Sequence, residues 1–489
     1  MRTFFKLSPL SLLVLVLSCT DKPSGTIETN NQRPAIFPDY TDVTIPVNIA
    51  PLNFRIESDV KNVSVTIAGD DGQTLRYKGN KQVQFKPKAW KKLLSANRGR
   101  SLTVHIAATR TENEQRIAWQ PFPIHVSNDS IDSHLVYRLI EPGYEKWHIV
   151  GIYQRHLESF DEKPIIQNDL TGYNCINCHS FCNGDPQQMM LHMRAAYGAT
   201  YIASNGQIQK LNTRTDHTIS HLTYPYWHPS GRYIAASVND IKQFFHSVKE
   251  KKMEVFDLES DVVVYDVNRQ AILSAASLLT KDAYETFPAF SPDGQWLYYC
   301  SADTAPMPEA YDRIRYGIYR RPFDATQGCI GTTIDTLVHA DTHSASFPRL
   351  SPDGRFLMYT ETAYGQFPIW HKDAEIRMLH LRDGNRPADV SPLNSDDTES
   401  YHSWSRNSRW AVISSRRENG LYTLPYFAHI DTLGQASKPF LLPQKNPDAY
   451  DYLLYSFNLP ELVNGEVRLS PYELQYAAEK GTMVQIRFE

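Results

Sequence analysis

The sequence of 489 residues has little cysteine, no excess of positive charge and no unusual content of glycine or proline. Its 6 Cys are too few for a small scaffold held together by disulfides. The formal net charge of −4 provides no basic surface, so we expect no nucleic-acid partner. With 23 Gly and 30 Pro, the chain is neither collagen-like nor of low complexity.

Several motifs that mark common enzyme classes are also missing. The sequence contains no G-x-S-x-G, G-x-x-x-x-G-K-[ST], G-x-G-x-x-G or H-E-x-x-H string. Its acidic residues form no pair that can be interpreted as a glycosidase site. The sequence therefore leaves open whether the protein is an enzyme.

No apolar run is long enough to span a bilayer, which takes about 20 residues. The run Leu10–Leu17 follows two basic residues and has the length of a signal-peptide core. It leads into Val16-Leu17-Ser18-Cys19, which resembles the lipobox of bacterial lipoproteins. The resemblance implies that residues 1–18 are a signal peptide and that lipid on Cys19 anchors the chain to a membrane. Ordinary secretion with cleavage elsewhere is the alternative.

Residues 19–44 are polar and hold three prolines, as in a tether that keeps a domain away from a membrane. Thr20 follows Cys19, where an Asp would resemble an inner-membrane retention signal. We therefore expect a cell-envelope protein at the outer membrane, on a face that the sequence leaves undetermined.

Residues 45–127 contain short alternating segments separated by turn signals such as Asp70-Asp71-Gly72. This pattern predicts a β-sandwich of immunoglobulin-like type. No catalytic constellation occurs in it, so we interpret this domain as a spacer or docking domain.

Four later segments repeat one pattern of strand, turn and strand. Three copies are well formed and the last is degenerate at its turn: Tyr224–Ser237, Phe287–Cys300, Phe347–Thr360 and Tyr401–Ser414. The Ser-Pro-Asp-Gly turns suit a tight backbone, because Pro presets φ and Gly tolerates strained conformations. The repeat resembles that of TolB-like β-propellers. The resemblance implies an all-β fold with about six blades over residues 128–475, followed by a C-terminal tail, residues 476–489.

The strongest chemical motif is Cys175-Ile-Asn-Cys178-His179. The C-x-x-C-H spacing resembles the haem-attachment motif of c-type cytochromes. By that resemblance Cys175 and Cys178 would hold haem c through thioether bonds, and His179 would be the proximal iron ligand. The motif lies on or just before the first strand of a degenerate blade, unlike the helical setting of a small cytochrome. A haem there would lie near the propeller axis or on one rim.

The next predicted strand offers candidate distal ligands, since Met190 and His192 share one of its faces. Met189 and Met193 share the other face. Alternatively, these side chains are packing residues of an inner strand.

Two other interpretations of the motif remain. A zinc site can be drawn from Cys175, Cys178, Cys182 and His192, because zinc accepts mixed sulfur and nitrogen ligands. A structural disulfide between two of the cysteines, including Cys300 with Cys329, is also compatible with an oxidising compartment.

The sequence thus supports two functions of different classes. The first is a membrane-anchored propeller lipoprotein with a c-type haem, acting in electron transfer or ligand sensing. The second is a haem-free propeller scaffold that binds a protein or glycan partner in the cell envelope.

Overall fold

The computed structural model describes residues 27–142, 149–247 and 252–489. The predicted signal peptide and Cys19 lie outside these residues. Within them the chain forms a β domain followed by a ring of six antiparallel sheets. Among the described residues, no helix has the length and apolarity needed to cross a bilayer.

The first domain contains one sheet of seven strands, a second sheet of three strands and one helix. The elements are β1 (Glu28–Asn30), β2 (Ile36–Phe37), β3 (Thr44–Ile45), β4 (Phe54–Ile56), β5 (Val60–Gly69), β6 (Thr74–Gly79), β7 (Gln82–Val83), α1 (Pro87–Ala96), β8 (Ser101–Arg110), β9 (Arg116–Trp119) and β10 (Phe122–Val126). The helix was not predicted; it buries Trp90, Leu93 and Leu94.

The described part of the predicted tether is folded into this domain. Strand β1 pairs in parallel with β9, and β3 pairs in parallel with β10. Tyr40 and Val43 are fully buried in the domain core. The tether prediction is therefore wrong for residues 27–44, because their apolar side chains, such as Tyr40 and Val43, are buried in the core of the first domain.

The ring consists of six blades. In each blade, the strand nearest the centre of the ring is called the innermost strand. In chain order its strands are β11 (His134–Ile140), β12 (Val150–His156), β13 (Glu162–Gln167), β14 (Ile176–Phe181), β15 (Gln188–Met193), β16 (Ala199–Ser204), β17 (Gln207–Asn212), β18 (Thr223–Trp227), β19 (Tyr233–Phe245), β20 (Met253–Asp266), β21 (Ala271–Leu273), β22 (Ala283–Phe290), β23 (Trp296–Asp303), β24 (Gly317–Asp324), β25 (Cys329–Ile330), β26 (Asp335–Val338), β27 (Ser344–Leu350), β28 (Phe356–Thr362), β29 (Glu375–His380), β30 (Arg386–Pro387), β31 (Glu399–Trp404), β32 (Trp410–Ser415), β33 (Leu424–His429), β34 (Phe440–Leu441) and β35 (Ser456–Val463). The fold is a six-bladed β-propeller, as the repeats predicted.

Blade 1 closes the ring with strands from both ends of the repeat region. Its order is β13-β12-β11-β35, so its innermost strand follows blade 6 in the sequence. Blades 2 to 6 begin at β14, β18, β22, β27 and β31. A sheet left open at this point would expose unpaired backbone groups, which β35 instead pairs with β11.

The predicted turns connect the first two strands of the repeats. In blade 5, Ser351 Oγ donates to Asp353 Oδ1 at 2.7 Å and accepts from the backbone N–H of Phe356 at 3.0 Å. Gly354 closes the turn with φ +67°. The left-handed backbone explains why Gly occupies this position.

Residues after β35, which include the predicted C-terminal tail at 476–489, form a strap over blades 2 and 3. Helix α2 (Pro471–Lys480) begins with a capping box formed by Ser470 and Glu473. Strands β36 (Met483–Gln485) and β37 (Arg487–Phe488) then add in parallel to the outer strands β17 and β21. Unpaired edge strands of the blades supply the hydrogen-bonding groups for this segment.

The charged insertion after residue 238 is an extension of the β19–β20 hairpin. Its Glu254 is buried and accepts hydrogen bonds from Tyr364 Oη at 2.7 Å and His371 Nε2 at 2.8 Å. The described part of this insertion is therefore attached to blade 5.

Replacing Gly294, in the turn of blade 4, tests the repeated turn. Gly294 has φ +71°, and a Cβ there would lie 2.3 Å from His228 Nε2. A left-handed conformation alone costs a non-Gly residue about 1–2 kcal/mol. Gly294→Ala should cost more, because it also displaces the ring that contacts the Gly294 carbonyl at 3.1 Å. Urea unfolding would measure the difference.

Gly206→Ala is the matched control for this comparison. Gly206 has φ +79°, but a Cβ added there would meet no atom within 4 Å. Only the backbone cost applies at this position. Equal loss of stability in the two variants would contradict the role given to the His228 contact.

Candidate functional site

The six innermost strands share one irregularity. Each shifts register against its neighbour near its middle. Such bulges re-aim the side chains that follow them. The residues at the bulge align between blades as Leu459, Cys178, Tyr224, Phe287, Phe347 and Tyr401. Four of these residues, Leu459, Tyr224, Phe287 and Phe347, have positive φ.

Aromatic residues at this position pack against one another across neighbouring blades. Ring centroids are 4.5 Å apart for Tyr224 and Phe287, 4.6 Å for Phe287 and Phe347, and 4.5 Å for Phe347 and Tyr401. Phe367 lies 6.1–6.3 Å from three of these rings. We call these five residues the aromatic layer. It fills the centre of the ring.

A cavity of about 400 Å³ lies towards the carboxyl ends of the innermost strands. Every blade contributes to its wall, through Glu461, His179, Tyr226, Phe290, Arg349 and His402 in blade order. We call it the axial cavity. Its size is within the range of sites for small molecules, about 300–1,000 Å³.

His179 brings an unsatisfied imidazole to this cavity. Its side chain is buried; the backbone of Leu459 lies close to the ring, but neither ring nitrogen forms a hydrogen bond of normal geometry with a described residue. Burial, with a contribution from the charge of Arg138, lowers the pKa of His179 to about 3. The imidazole is therefore neutral at physiological pH, with one nitrogen available as a donor and the other as an acceptor.

His402 occupies the equivalent position in blade 6. Cys178-His179-Ser180-Phe181 and Tyr401-His402-Ser403-Trp404 align residue by residue, and both place His where the other four blades have Pro. His402 Nδ1 lies 3.1 Å from the carbonyl of Ser400, while its Nε2 has no partner among the described residues. Burial lowers the pKa of His402 to about 4.

Arg349 and Glu461 carry the ionisable groups of the adjacent layer. Arg349 lies over the ring of Tyr226, with its guanidinium carbon 5.1 Å from the ring centroid. Glu461 accepts a hydrogen bond of 2.9 Å from the backbone N–H of Phe181. Burial raises the pKa of Glu461 to about 8. At neutral pH this carboxyl group is mostly protonated.

The two motif thiols do not share the axial cavity with His179. Neither Cys175 nor Cys178 belongs to its wall, and Cys178 is 5% exposed at the bulge position of blade 2. Cys178 lies within the register shift of β14 and His179 directly follows it, so the bulge directs the two side chains differently. The unpartnered imidazole suits an iron ligand, but the thiols are not placed to attach haem in the same space. The thiols and the imidazole of the motif thus lie in different environments.

The candidate distal ligands are not brought to His179. Strand register places Leu191 opposite His179 and Met190 opposite Ser180. Met190 and His192 do share a face, as predicted, but it is the face away from His179. Met189, Leu191 and Met193 pack together in one core, and Met190 packs in another. For the methionines, the packing interpretation agrees with this arrangement.

The zinc and disulfide alternatives also lack the required geometry. Cys182 packs beyond the end of β14, where its Sγ lies 3.7 Å from the carbonyl of His228, and His192 pairs with Thr200 in the middle of the blade. No cluster of three or more His, Cys, Asp or Glu side chains in the described ranges can hold a metal ion. All five described cysteines, including Cys300 and Cys329, are free thiols.

Sequence reasoning missed His402, Arg349 and Glu461. The spacing of His402 to the other histidines in the sequence is irregular and matches no ligand pattern. The informative comparison is between repeats, since residues at one repeat position meet around the axis even when they are far apart in sequence. His402 and His179 lie four blades apart along the chain but share that position.

Comparisons with known proteins extend the description of the fold only. No family model matches the chain, and no curated protein matches it. Solved structures do match.

Puromycin hydrolase in complex with PGG is 12% identical, with a TM-score of 0.36, over 63% of this chain and 52% of that chain. Prolyl oligopeptidase B from Galerina marginata is 9% identical, with a TM-score of 0.36, over 80% of this chain and 54% of that chain. The propeller domain of the Trilobed protease from Pyrococcus furiosus is 9% identical, with a TM-score of 0.32, over 66% and 78% of the two chains. The match thus spans about half the length of the two peptidases.

The neutral histidines predict how stability depends on pH. The unfolded chain binds protons near the ordinary His pKa of 6.5, whereas folded His179 and His402 bind them only near pH 3 and pH 4. Stability from both groups is therefore complete above about pH 6.5 and is lost progressively as the pH falls. Thermal midpoints between about pH 7.5 and pH 4.5 should decrease less steeply in His402→Gln than in the wild type.

His343→Gln, at an exposed position, is the control and should keep the wild-type slope. NMR of labelled histidines provides an independent measurement. A resonance of His179 or His402 that titrates near the ordinary pKa of about 6.5 would contradict the assigned burial.

Proposed function

We propose that the protein is a haem-free propeller scaffold of the cell envelope that binds a protein or glycan partner, with the axial cavity as the centre of contact. The observation that carries this proposal is the cavity itself, since all six innermost strands contribute side chains to it. A site assembled by the whole ring exists only when the ring is closed. The proposal is about binding and assigns no reaction.

The wall of the cavity supports recognition of a polar ligand. It combines aromatic and proline surfaces with groups that form hydrogen bonds, including two neutral imidazoles and two serines, Ser180 and Ser403. Specific sites typically combine an apolar wall with a few positioned polar groups. Here the apolar part comes from Tyr226, Trp227 and Trp404, among others.

The scaffold holds these groups in place before any ligand binds. Trp227 Nε1 donates to the carbonyl of Ser180 at 3.2 Å, and Trp404 Nε1 donates to the carbonyl of Arg349 at 3.2 Å. Each bond connects neighbouring blades at the cavity wall. Because these side chains are fixed by the fold, little conformational entropy remains to be lost on binding.

A covalently bound haem is the second candidate. The C-x-x-C-H spacing, the free thiols of Cys175 and Cys178 and the unpartnered ring of His179 favour it. When bound, such a haem would supply one-electron transfer or the binding of a small ligand to iron. The separation of the thiols from the axial cavity is the reason that it ranks second.

Filling the cavity tests the first proposal. The probes are D-glucose, D-glucuronate, N-acetyl-trialanine and N-acetyl-trialanine amide, each followed by ligand-observed NMR at millimolar concentration. At least one should bind the wild type. Ser403→Trp, which places an indole in the cavity, should weaken that binding at least tenfold because the ligand and the indole compete for the same space.

Gln327→Trp, at an exposed turn of blade 4, adds the same side chain outside the cavity and should bind as the wild type does. Circular dichroism would verify that both variants are folded. The proposal fails if none of the four probes binds, or if both variants bind as the wild type does.

Haem content separates the two candidates. We expect the protein produced with haem-attachment machinery to show no Soret band after denaturation and an intact mass without a haem adduct. Cys175→Ala should then leave probe binding unchanged. A Soret band that survives denaturation in the wild type and disappears in Cys175→Ala would replace the first proposal by the second.

A further inference from the structure

The axial cavity holds more positive charge than its own acidic group can neutralise. Its ionisable side chains are those of Arg349, Arg406, Glu461, His179 and His402, together with tyrosine hydroxyls. Two of them are guanidinium groups, which stay charged at any physiological pH. Glu461 is the only carboxyl group among the residues that line the cavity.

Arg349 is a cation without an ion-pair partner among the described residues. Its Nη1 donates a hydrogen bond of 2.8 Å to the carbonyl of Pro348, its neighbour in the chain. No carboxylate in the part of the chain that the structure describes lies within salt-bridge distance of it. Burial lowers the pKa of Arg349, because removal from water disfavours the charged guanidinium. Arg349 is one of the residues that line the cavity.

Glu461 does not act as that missing partner. Its carboxyl group accepts the backbone N–H of Phe181 and is mostly protonated at neutral pH, because burial raises its pKa. Arg406 adds charge at the cavity wall: its side chain is exposed, and its backbone N–H donates to Asp132 at 2.8 Å. Arg349 and Arg406 are therefore the charged groups of the cavity wall at neutral pH. Glu461 and Asp132 lie close enough to interact with them electrostatically, but neither forms an ion pair with them.

His179 adds a hydrogen-bond donor to the cavity. A neutral imidazole carries one N–H, and neither ring nitrogen of His179 has a partner of normal hydrogen-bond geometry among the described residues. His402 differs, because its Nδ1–H donates to the carbonyl of Ser400 and its Nε2 is therefore an acceptor. Buried donors left without a partner are costly to a protein, and a ligand with acceptor oxygens would satisfy them.

The geometry points to a binding site for a small organic anion, whose carboxylate or phosphate group pairs with Arg349 and accepts a hydrogen bond from His179. This inference rests on the proposed function and names the ligand class of the same cavity. A guanidinium group matches both anions, because its parallel N–H groups engage two oxygens at once. A cationic ligand would be repelled, and a neutral one would leave Arg349 unpaired.

The test compares each anionic probe with a neutral probe of the same skeleton. D-Glucuronate and D-glucose 6-phosphate are compared with D-glucose, and N-acetyl-trialanine with its amide, by ligand-observed NMR. We expect each anion to bind at least tenfold more tightly than its neutral counterpart. A preference for glucuronate or for the phosphate would identify which of the two anionic groups the cavity selects.

Arg349→Gln should reduce anion binding at least tenfold and remove the preference over the neutral probes. Arg349→Lys keeps the positive charge but loses the planar guanidinium group, so this variant should retain part of the preference for anions. Arg386→Gln, at an exposed position in blade 5, removes a charge elsewhere and should bind as the wild type does.

Thermal unfolding without ligand separates a binding role from a structural one. Because an unpaired charge in the cavity wall costs stability, the midpoint of Arg349→Gln should equal or exceed that of the wild type. A lower midpoint together with unchanged anion binding would make Arg349 structural and overturn the inference.

Two results distinguish this inference from the proposed function. If neutral probes bind the wild type as tightly as their anionic counterparts, the cavity is a binding site but not one for anions, and only this inference fails. If no probe binds, both fail.

Discussion

The pairing of β35 with β11 is the contact on which the rest of the molecule depends. It unites chain segments from the two ends of the propeller in one sheet, with residues such as His134 opposite Val463. Until it forms, blades 1 and 6 each present an open side to solvent. Closure also delivers Leu459 and Glu461 to the ring centre. The axial cavity is therefore a property of the closed ring and not of any one blade.

One backbone irregularity, repeated in all six blades, produces both the floor and the wall of that cavity. Bulged residues supply four of the five members of the aromatic layer, and the residues after them supply the polar wall. In blade 2 this divides the C-x-x-C-H string between two environments. Cys178 joins the packed layer, while the ring of His179 reaches the cavity. A motif defined by spacing along a helix has a different meaning on a bulged strand.

Much of the propeller could be predicted from sequence because each turn carries its own signal. Ser-Pro-Asp-Gly specifies a turn through local backbone preferences, so Gly294 and Gly354 mark blades without knowledge of their neighbours. Helix α1 and the strap have weaker signals in the sequence, because they are stabilised by packing and strand pairing with distant parts of the chain. Strand β37, for example, is only two residues long and depends on the edge of β21.

The candidate site was harder to predict for a related reason. Spacing singled out Cys175, Cys178 and His179 because they are close in the sequence. Arg349, His402 and Glu461 come from three other blades, and their proximity follows from the sixfold arrangement alone. Aligning repeats position by position recovers the second histidine. The alignment does not show whether Arg349 forms an ion pair, because that depends on the residues around its side chain in the folded protein.

The strap has a consequence for how this protein behaves at high concentration. Open strand edges are templates on which a second chain can add, and proteins often cover or shorten them. Blades 5 and 6 end in outer strands of two residues, β30 and β34, which offer little to pair with. Blades 2 and 3 have their outer edges covered by β36 and β37. The last residues of the chain thus protect against edge-to-edge association, and that protection is separate from their contribution to folding.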